Sequence, residues 1–273
     1  MTYRTVMVGL AIGQQNASRL EVAAQLAERF GARVIGIAAA EFSPPLYFTE
    51  GEPAQRLIDQ GWAAVKSRLK DLEGEFRAAM QNRAVEVEWR CGEDFPTRFA
   101  VRQARACDII VVGEAARDRL IDPFAQVNPE DLVMQVGRPL LVVPEACNWL
   151  DLRSVLVAWK DTAEARRAVS DALPLLGKST EVTIVEDEAD RAVALSRVGD
   201  VAAWLSRHGV SASPLVPEQS GDAAAQLERI ASEVGAGVVV AGAYGHSRLS
   251  EWILGGVTRQ LIKPSNRCSL LSH

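Results

Sequence analysis

A chain of 273 residues, 48% of them hydrophobic, is long enough for two domains of about 100–150 residues, each with its own core. The formal net charge of −5 offers no basic face for nucleic acid, and no apolar run approaches the ~18 residues of a membrane span. Four cysteines without C-x-x-C or metal-ligand spacing, only three histidines, and no charged-then-apolar leader give the expectation of a cytoplasmic protein with reduced thiols and no metal centre.

In chain order, Arg4–Leu10 reads as a short apolar strand, and Asn16 as the cap of a helix running to Phe30 with Leu20, Ala23, Ala24 and Ala27 at helical spacing. Arg33–Ala39 is a second strand. Glu41–Gly51, with Pro44, Pro45 and three aromatics, reads as a loop. A long helix from Pro53 to Met80 carries the stripe Leu57, Ile58, Trp62, Val65, Leu69, Leu72, Phe76 and Met80, read as core packing. Strands at Val85–Arg90, Asp108–Val112 and Pro139–Val143 alternate with helices from Asp94 to about Ala106 and over Asn128–Val136. After Asn148–Arg153 the pattern restarts. Strands fall at Ser154–Trp159, Glu181–Val185, Ala212–Val216, Val238–Ala241 and Cys268–Leu271. Helices open at Asp161/Thr162, near Val198, at Asp222 and near Val257. Alternation of this kind predicts an α/β fold: two repeated, doubly wound domains, 1–147 and 148–273, each a five-stranded parallel sheet flanked by helices.

The repeat is visible in the residues. Cys107–Pro144 superposes without a gap on Ala236–His273, placing Gly113 on Gly242, Arg119 on Arg248 and Arg138 on Arg267. The loop chemistry differs between the copies. In the second, the buried run Val238–Ala241 is followed by Gly242, Gly245, Gly255 and Gly256, then by a helix start at Val257 and Thr258. Strand, glycine loop and helix N-terminus is an arrangement that holds an anion on free backbone amides. In the first copy Ala116, Gln126 and Val127 replace Gly245, Gly255 and Gly256. Asn128-Pro129-Glu130-Asp131 is a self-capped helix start with carboxylates where a phosphate would have to sit. One half is therefore expected to bind an anion, and the other to exclude it. His246 and Arg248 lie in the glycine loop, and Asp161 and Glu251 are the acids placed near it.

With these residues the whole chain resembles a tandem universal stress protein. The nucleotide-binding members of that family carry G-x2-G-x9-G followed by Ser or Thr after the fourth strand. Gly242, Gly245 and Gly255 match, and Gly256 stands where the hydroxyl residue would be. The resemblance implies an adenine nucleotide alpha hydrolase-like fold. It also implies an adenine nucleotide, ATP with or without Mg²⁺, whose phosphates rest on Gly255, Gly256 and Val257, with Thr258 offering a hydroxyl. The family's Asp after the first strand is replaced by Lys160, with Trp159 before it and Asp161 after it. Ala241, Gly242, Gly245, His246 and Val185 complete the expected nucleotide contacts.

The expected role is a stress-response sensor or adaptor rather than a dedicated enzyme. Slow ATP hydrolysis and a nucleotide-free protein-interaction module are the alternatives. The expected partners are the nucleotide and a protein still to be identified, with neither nucleic acid nor membrane. The family's fifth-strand pairing implies that Pro139–Val143 and Cys268–Leu271 join the halves as an intrachain pseudo-dimer. Two bare apolar edges give an independent motive for that pairing. Other faces are left for any homodimer.

Overall fold

The computed structural model describes residues 2–42, 52–114, 122–188, 190–217, 222–244, 256–262 and 266–273. The first half contains β1 (Thr5–Gly9), α1 (Ala17–Phe30), β2 (Arg33–Ala40), α2 (Glu52–Met80) and β3 (Val87–Glu93). These are followed by α3 (Pro96–Gln103) with a 3-10 turn at Ala104–Ala106, β4 (Ile109–Gly113), α4 (Pro129–Gln135) and β5 (Leu140–Val143). The second half contains β6 (Ser154–Ala158), α5 (Ala163–Leu176), β7 (Glu181–Val185), α6 (Arg191–Arg207) and β8 (Ala212–Leu215). It ends with α7 (Ala223–Glu233), β9 (Val238–Gly242), α8 (Gly256–Ile262) and β10 (Cys268–Ser272).

All ten strands form one sheet, ordered β3-β2-β1-β4-β5-β10-β9-β6-β7-β8. Every pairing within a half is parallel. Among the described strands the one antiparallel pair is β5 with β10, in the register Val142↔Ser269, Leu141↔Leu270, Leu140↔Leu271. The two halves are thus mirror-ordered about one seam, the arrangement that the bare-edge reasoning anticipates.

Both faces of the sheet are covered, so the strands are apolar on both sides. Val6, Val8, Val155 and Val157 face a core built with α1, α2, α5 and α6, among them Leu20, Phe76, Val169 and Val198. Met7 and Leu156 face the opposite core, with Phe99, Leu132, Leu227 and Ile262 from α3, α4, α7 and α8. Each core runs across the seam, since Leu141 and Leu270 belong to one, and Leu140 and Leu271 to the other. Side chains reinforce the junction. Tyr3 donates its hydroxyl to the Asp171 carbonyl at 2.7 Å. Gln25 of α1 accepts from the Leu150 amide at 2.8 Å and donates to the Asn148 carbonyl at 3.0 Å, strapping the connecting segment to the first half.

Three expectations change. Asn16 does not cap α1 with its side chain. It is buried, and its amide group bonds to both the N–H and the C=O of Ala11, pinning the loop before the helix. α6 begins at Arg191 rather than near Val198, because Asp190 accepts from the Ala192 and Val193 amides at 3.0 and 3.1 Å. Its first two turns expose Val193 and Leu195, so no apolar stripe marks them. The stripe of α2 is core only towards its C-terminus. Leu69, Leu72, Phe76 and Met80 are buried, whereas Leu57 is exposed and Trp62 is half-buried, edge-on to Phe42 at 6.1 Å. The rest of the loop beyond Phe42, residues 43–51, lies outside the described residues.

Leu270 and Leu271 are fully buried at the seam, so losing their strand uncovers β5 as an apolar edge. Deleting residues 266–273 is expected to give aggregates on size-exclusion chromatography. A truncated chain with full-length elution and thermal midpoint would contradict this role for the seam.

Candidate functional site

In each half, consecutive connections from the central strand depart to opposite sides. This opens a crevice at the C-terminal ends of β1 and β4, and again at those of β6 and β9, where open α/β sheets take ligands. The two crevices are built on the same plan and filled differently.

In the first half, α1 places Arg19 directly over Gly113, the last residue of β4. A Cβ on that glycine would collide with the guanidinium. Arg19 is 5% exposed. Its Nη1 donates to the Gly9 carbonyl at 3.3 Å, and its Nη2 donates to Gln14 Oε1 at 2.8 Å and to the Gln15 carbonyl at 3.4 Å. Burial pulls its pKa down to about 10, while the charges of Glu145, Glu75 and Glu114 act in the opposite direction. The segment before α4 then closes over the crevice. Gln14 Nε2 donates to Gln126 Oε1 at 2.9 Å, the Ile12 amide to the Ala125 carbonyl at 3.3 Å, and the Glu41 amide to the Phe124 carbonyl at 2.8 Å. Gln126 therefore acts as a latch at the position matching Gly255. The amides of α4 are also engaged, because Asn128 Oδ1 accepts from Glu130 and Asp131 at 2.9 and 3.4 Å. Arg19 was not identifiable as a site residue from sequence. Its one signal is a cation on the buried face of α1, which apart from Gln25 is apolar.

In the second half, α5 has the same length as α1, and its third residue, the counterpart of Arg19, is Ala165. Gly242 faces the α5 backbone at this point. A Cβ there would lie 2.5 Å from the Ala165 amide nitrogen, so this glycine permits close helix–strand packing. β6 and β9 place Ala158 opposite Ala241, and β6 and β7 place Ala158 opposite Val185. The Trp159 amide continues the pairing by donating to the Val185 carbonyl at 2.8 Å. The predicted residues Trp159, Lys160, Asp161, Val185, Ala241 and Gly242 thus converge on the ends of three adjacent strands. Trp159 packs against the core on the α5/α6 face, and its indole N–H is enclosed without a hydrogen-bond partner. Asp161 pairs with Arg166 at 2.5 Å. The cap of α5 is Thr162, whose Oγ1 accepts from the Ala165 amide at 3.3 Å.

The far side of the crevice is the start of α8. Tyr244, the non-glycine residue with left-handed backbone (φ 55°), donates its amide to Thr258 Oγ1 at 3.4 Å. Thr258 is buried, and Val257 packs on the core. The chain therefore departs at Tyr244 and returns at Gly256 with both ends tied together. Gly245, His246, Arg248, Glu251 and Gly255 lie outside the described residues.

Glu186, the residue after Val185, is an addition to the predicted set. It is 3% exposed; Arg197 Nη1 donates to its Oε1 at 3.2 Å, and its Oε2 is enclosed without a partner. Burial raises its pKa, Arg197 opposes the shift, and Glu188 and Asp161 add to it. The acid run Glu186-Asp187-Glu188 directly after a strand is the sequence feature that marks it. The crevice is therefore acidic on the β7 side, whereas the first turn of α8 has no acidic residue.

The profile of the universal stress protein family matches residues 2–144, just over half of the chain. The chain belongs to the universal stress protein family. The matched segment is the half whose crevice Arg19 fills. Among solved structures, a universal stress protein from Archaeoglobus fulgidus DSM 4304 is similar over 98% of this chain and 95% of its own, with 16% identity and a TM-score of 0.71. A functionally unknown protein from Pseudomonas aeruginosa PAO1 matches 99% of this chain and 92% of its own, with 15% identity and a TM-score of 0.56. A universal stress protein from Archaeoglobus fulgidus in complex with dAMP matches 52% of this chain and 99% of its own, with 18% identity and a TM-score of 0.35. The first two likenesses establish the fold. No curated protein is significantly similar in sequence. No described helix is long and apolar enough to cross a membrane.

Two substitutions test these local readings. Asn128→Ala removes the cap of α4 and should lower stability by about 1 kcal/mol in denaturant titration. For Glu186 the folded pKa lies above the usual 4.5, so the folded chain holds a proton that the unfolded chain has released. Its contribution is fully present below that value and lost as the pH rises through the folded pKa. Glu186→Gln should therefore gain thermal stability over the parent as the pH is raised from 4 to 7. A pH-independent difference would contradict the assignment.

Proposed function

We propose that the chain is a tandem universal stress protein with domains 1–147 and 148–273. It binds one adenine nucleotide, in the crevice of the second domain, and acts in the cytoplasm as a sensor or adaptor rather than as a dedicated catalyst. The observation that carries this reading is the exchange of Arg19 for Ala165. The first crevice already contains a guanidinium bonded to three acceptors, whereas its counterpart has a methyl group and a glycine-bearing loop.

ATP, with or without Mg²⁺, is the proposed ligand. Its phosphates would lie at Gly256 and Val257, where first-turn amides have no intrahelical acceptor. Thr258 Oγ1 accepts from Tyr244 and keeps its own proton to donate to a phosphate oxygen. The adenosine would lie at the ends of β6 and β7, against Trp159, Lys160, Asp161 and Val185, well separated from the phosphates. The acids Asp161 and Glu186 are then on the base side, away from the like-charged phosphates. Gly245, His246 and Gly255 are the proposed contacts from the connecting loop.

The Asp161–Arg166 pair favours a second reading, a nucleotide-free interaction module, since it already engages the carboxylate nearest the family's adenosine contact. Calorimetry with ATP and ADP separates the two readings. One site per chain is expected, and Ala165→Arg should reduce affinity at least about tenfold by reproducing in the second half what Arg19 does in the first. Two equal sites, or no binding by a folded parent chain, would overturn the proposal. Undiminished binding in folded Ala165→Arg would overturn the role given to the exchange.

A further inference from the structure

The sulfurs of Cys147 and Cys268 lie 3.5 Å apart, although the residues are 121 positions apart in sequence. Cys147 belongs to the segment that leaves β5, in a turn where its amide donates to the Pro144 carbonyl at 3.0 Å. Cys268 opens β10, has no exposed surface, and donates its amide to the Gly237 carbonyl at 3.2 Å. The register pairing Val142 with Ser269 brings the end of β5 to the start of β10, and this places the two thiols together. One is half-buried on an irregular segment, and the other is locked in the sheet. A groove of ≈ 480 Å³ runs past Cys147 between Trp149, Asp151, Ser232, Gly237 and Arg267, giving a small solute access to the outer sulfur.

We propose that Cys147 and Cys268 form a redox-sensitive pair, with Cys147 attacking a hydroperoxide and Cys268 resolving it to a disulfide that staples the seam between the two halves. Cys147 is suited to the first step. The hydrogen bond from Cys268 brings its pKa down to about 7, against the opposing effects of burial and the Asp151 charge. The direction of that shift favours the thiolate, which is the nucleophilic form. Burial and the adjacent Cys147 sulfur hold Cys268 in the protonated form until its turn.

The steps balance. The Cys147 thiolate attacks one peroxide oxygen, an S–O bond forms, the O–O bond breaks, and the departing alkoxide or hydroxide takes up a proton. This leaves Cys147 as a sulfenic acid. The Cys268 sulfur, losing its proton, then attacks the Cys147 sulfur. The S–S bond forms, the S–O bond breaks, and water leaves. Two thiols and one hydroperoxide give one disulfide, one alcohol or water, and one further water.

Closure requires the sulfurs to approach to about 2.05 Å. Cys147 lies outside any helix or strand, so side-chain rotation with a small backbone adjustment can supply the movement. The bond would enclose essentially the whole second half in one covalent loop. It would also fix the start of β10 beside the end of β5.

The full-length protein is treated with one equivalent of hydrogen peroxide and mapped by non-reducing peptide mass spectrometry. A single Cys147–Cys268 cross-link is expected, with the four free thiols reduced to two. The double variant Cys91→Ser, Cys107→Ser should still form the cross-link, and Cys147→Ser should not. Cys268→Ser, whose hydroxyl can keep the hydrogen bond to Cys147, should accumulate a dimedone-reactive sulfenic acid at Cys147, and Cys268→Ala should do so more slowly because that bond is lost. The oxidised parent should melt at least about 5 °C above the reduced one, and dithiothreitol should reverse the shift. The proposal falls if oxidation proceeds to sulfinic acid at Cys147 without a cross-link, or if disulfides form mainly through Cys91 or Cys107. None of these readouts depends on nucleotide binding, so the proposal stands or falls separately from the ligand assignment.

Discussion

The antiparallel contact of β5 with β10 is the constraint on which the architecture rests. A five-stranded parallel sheet of this order ends on a short apolar strand, and left bare its edge would invite pairing with other chains while its apolar side chains stayed in water. Here each half supplies the other's missing neighbour, and the two hydrophobic cores become continuous across the join. A ten-stranded sheet results, with β3 and β8 as its outer edges. β8 is partly exposed and carries Pro214 among its four residues, which makes it a poor template for further strand addition.

The repeat leaves two equivalent crevices, and they have diverged in a physically interpretable way. In the first, a guanidinium donates to the Gly9 carbonyl and to Gln14, and a glutamine pair closes the mouth. Arg19 fills the space over Gly113 with a side chain of the chain itself. In the second, removing that side chain down to Ala165 lets the first turn of α5 sit tightly on Gly242. The same strand-end glycine thus serves opposite purposes. Gly113 makes room for a cation, and Gly242 makes room for a helix backbone.

The fold was largely legible in the sequence because its signals are local and repeated. Buried strands such as Val238–Gly242 appear as apolar runs, caps such as Asn128, Thr162 and Asp222 mark helix starts, and the constant offset between Cys107–Pro144 and Ala236–His273 exposes the repeat. Less legible were features that depend on what lies beneath a residue. The stripe of α2 has the period of a buried face along its whole length, yet only the part over the sheet is covered. Arg19 matters because α1 lays it on Gly113, nearly a hundred positions away, which no local pattern encodes. The acid run after β7 points to Glu186 without showing its burial, which places it against Arg197 with almost no exposed surface. At the candidate site, the sequence marks Gly242 as a ligand contact, and the structure gives the missing side chain a further reason, the close approach of α5, which no local pattern encodes.

The crevice and the seam are mechanically joined. Tyr244, where the glycine-bearing loop departs, follows Ala243. The Ala243 amide donates to the Ser272 carbonyl at 2.8 Å, and the Ala243 carbonyl lies 2.9 Å from His273 Nδ1. β9 thus connects the crevice at its C-terminal end to β10 along its whole length, in the register Val238↔Cys268 to Gly242↔Ser272. α5 packs on both strands, so a ligand that fixes the end of β9 also fixes the strand closing the seam. By linkage, anything bound only to the folded crevice stabilises that junction, and anything that tightens the junction reduces the ordering cost of binding. On the two proposals made above, nucleotide occupancy at one end of β10 and thiol chemistry at the other would act on the same strand.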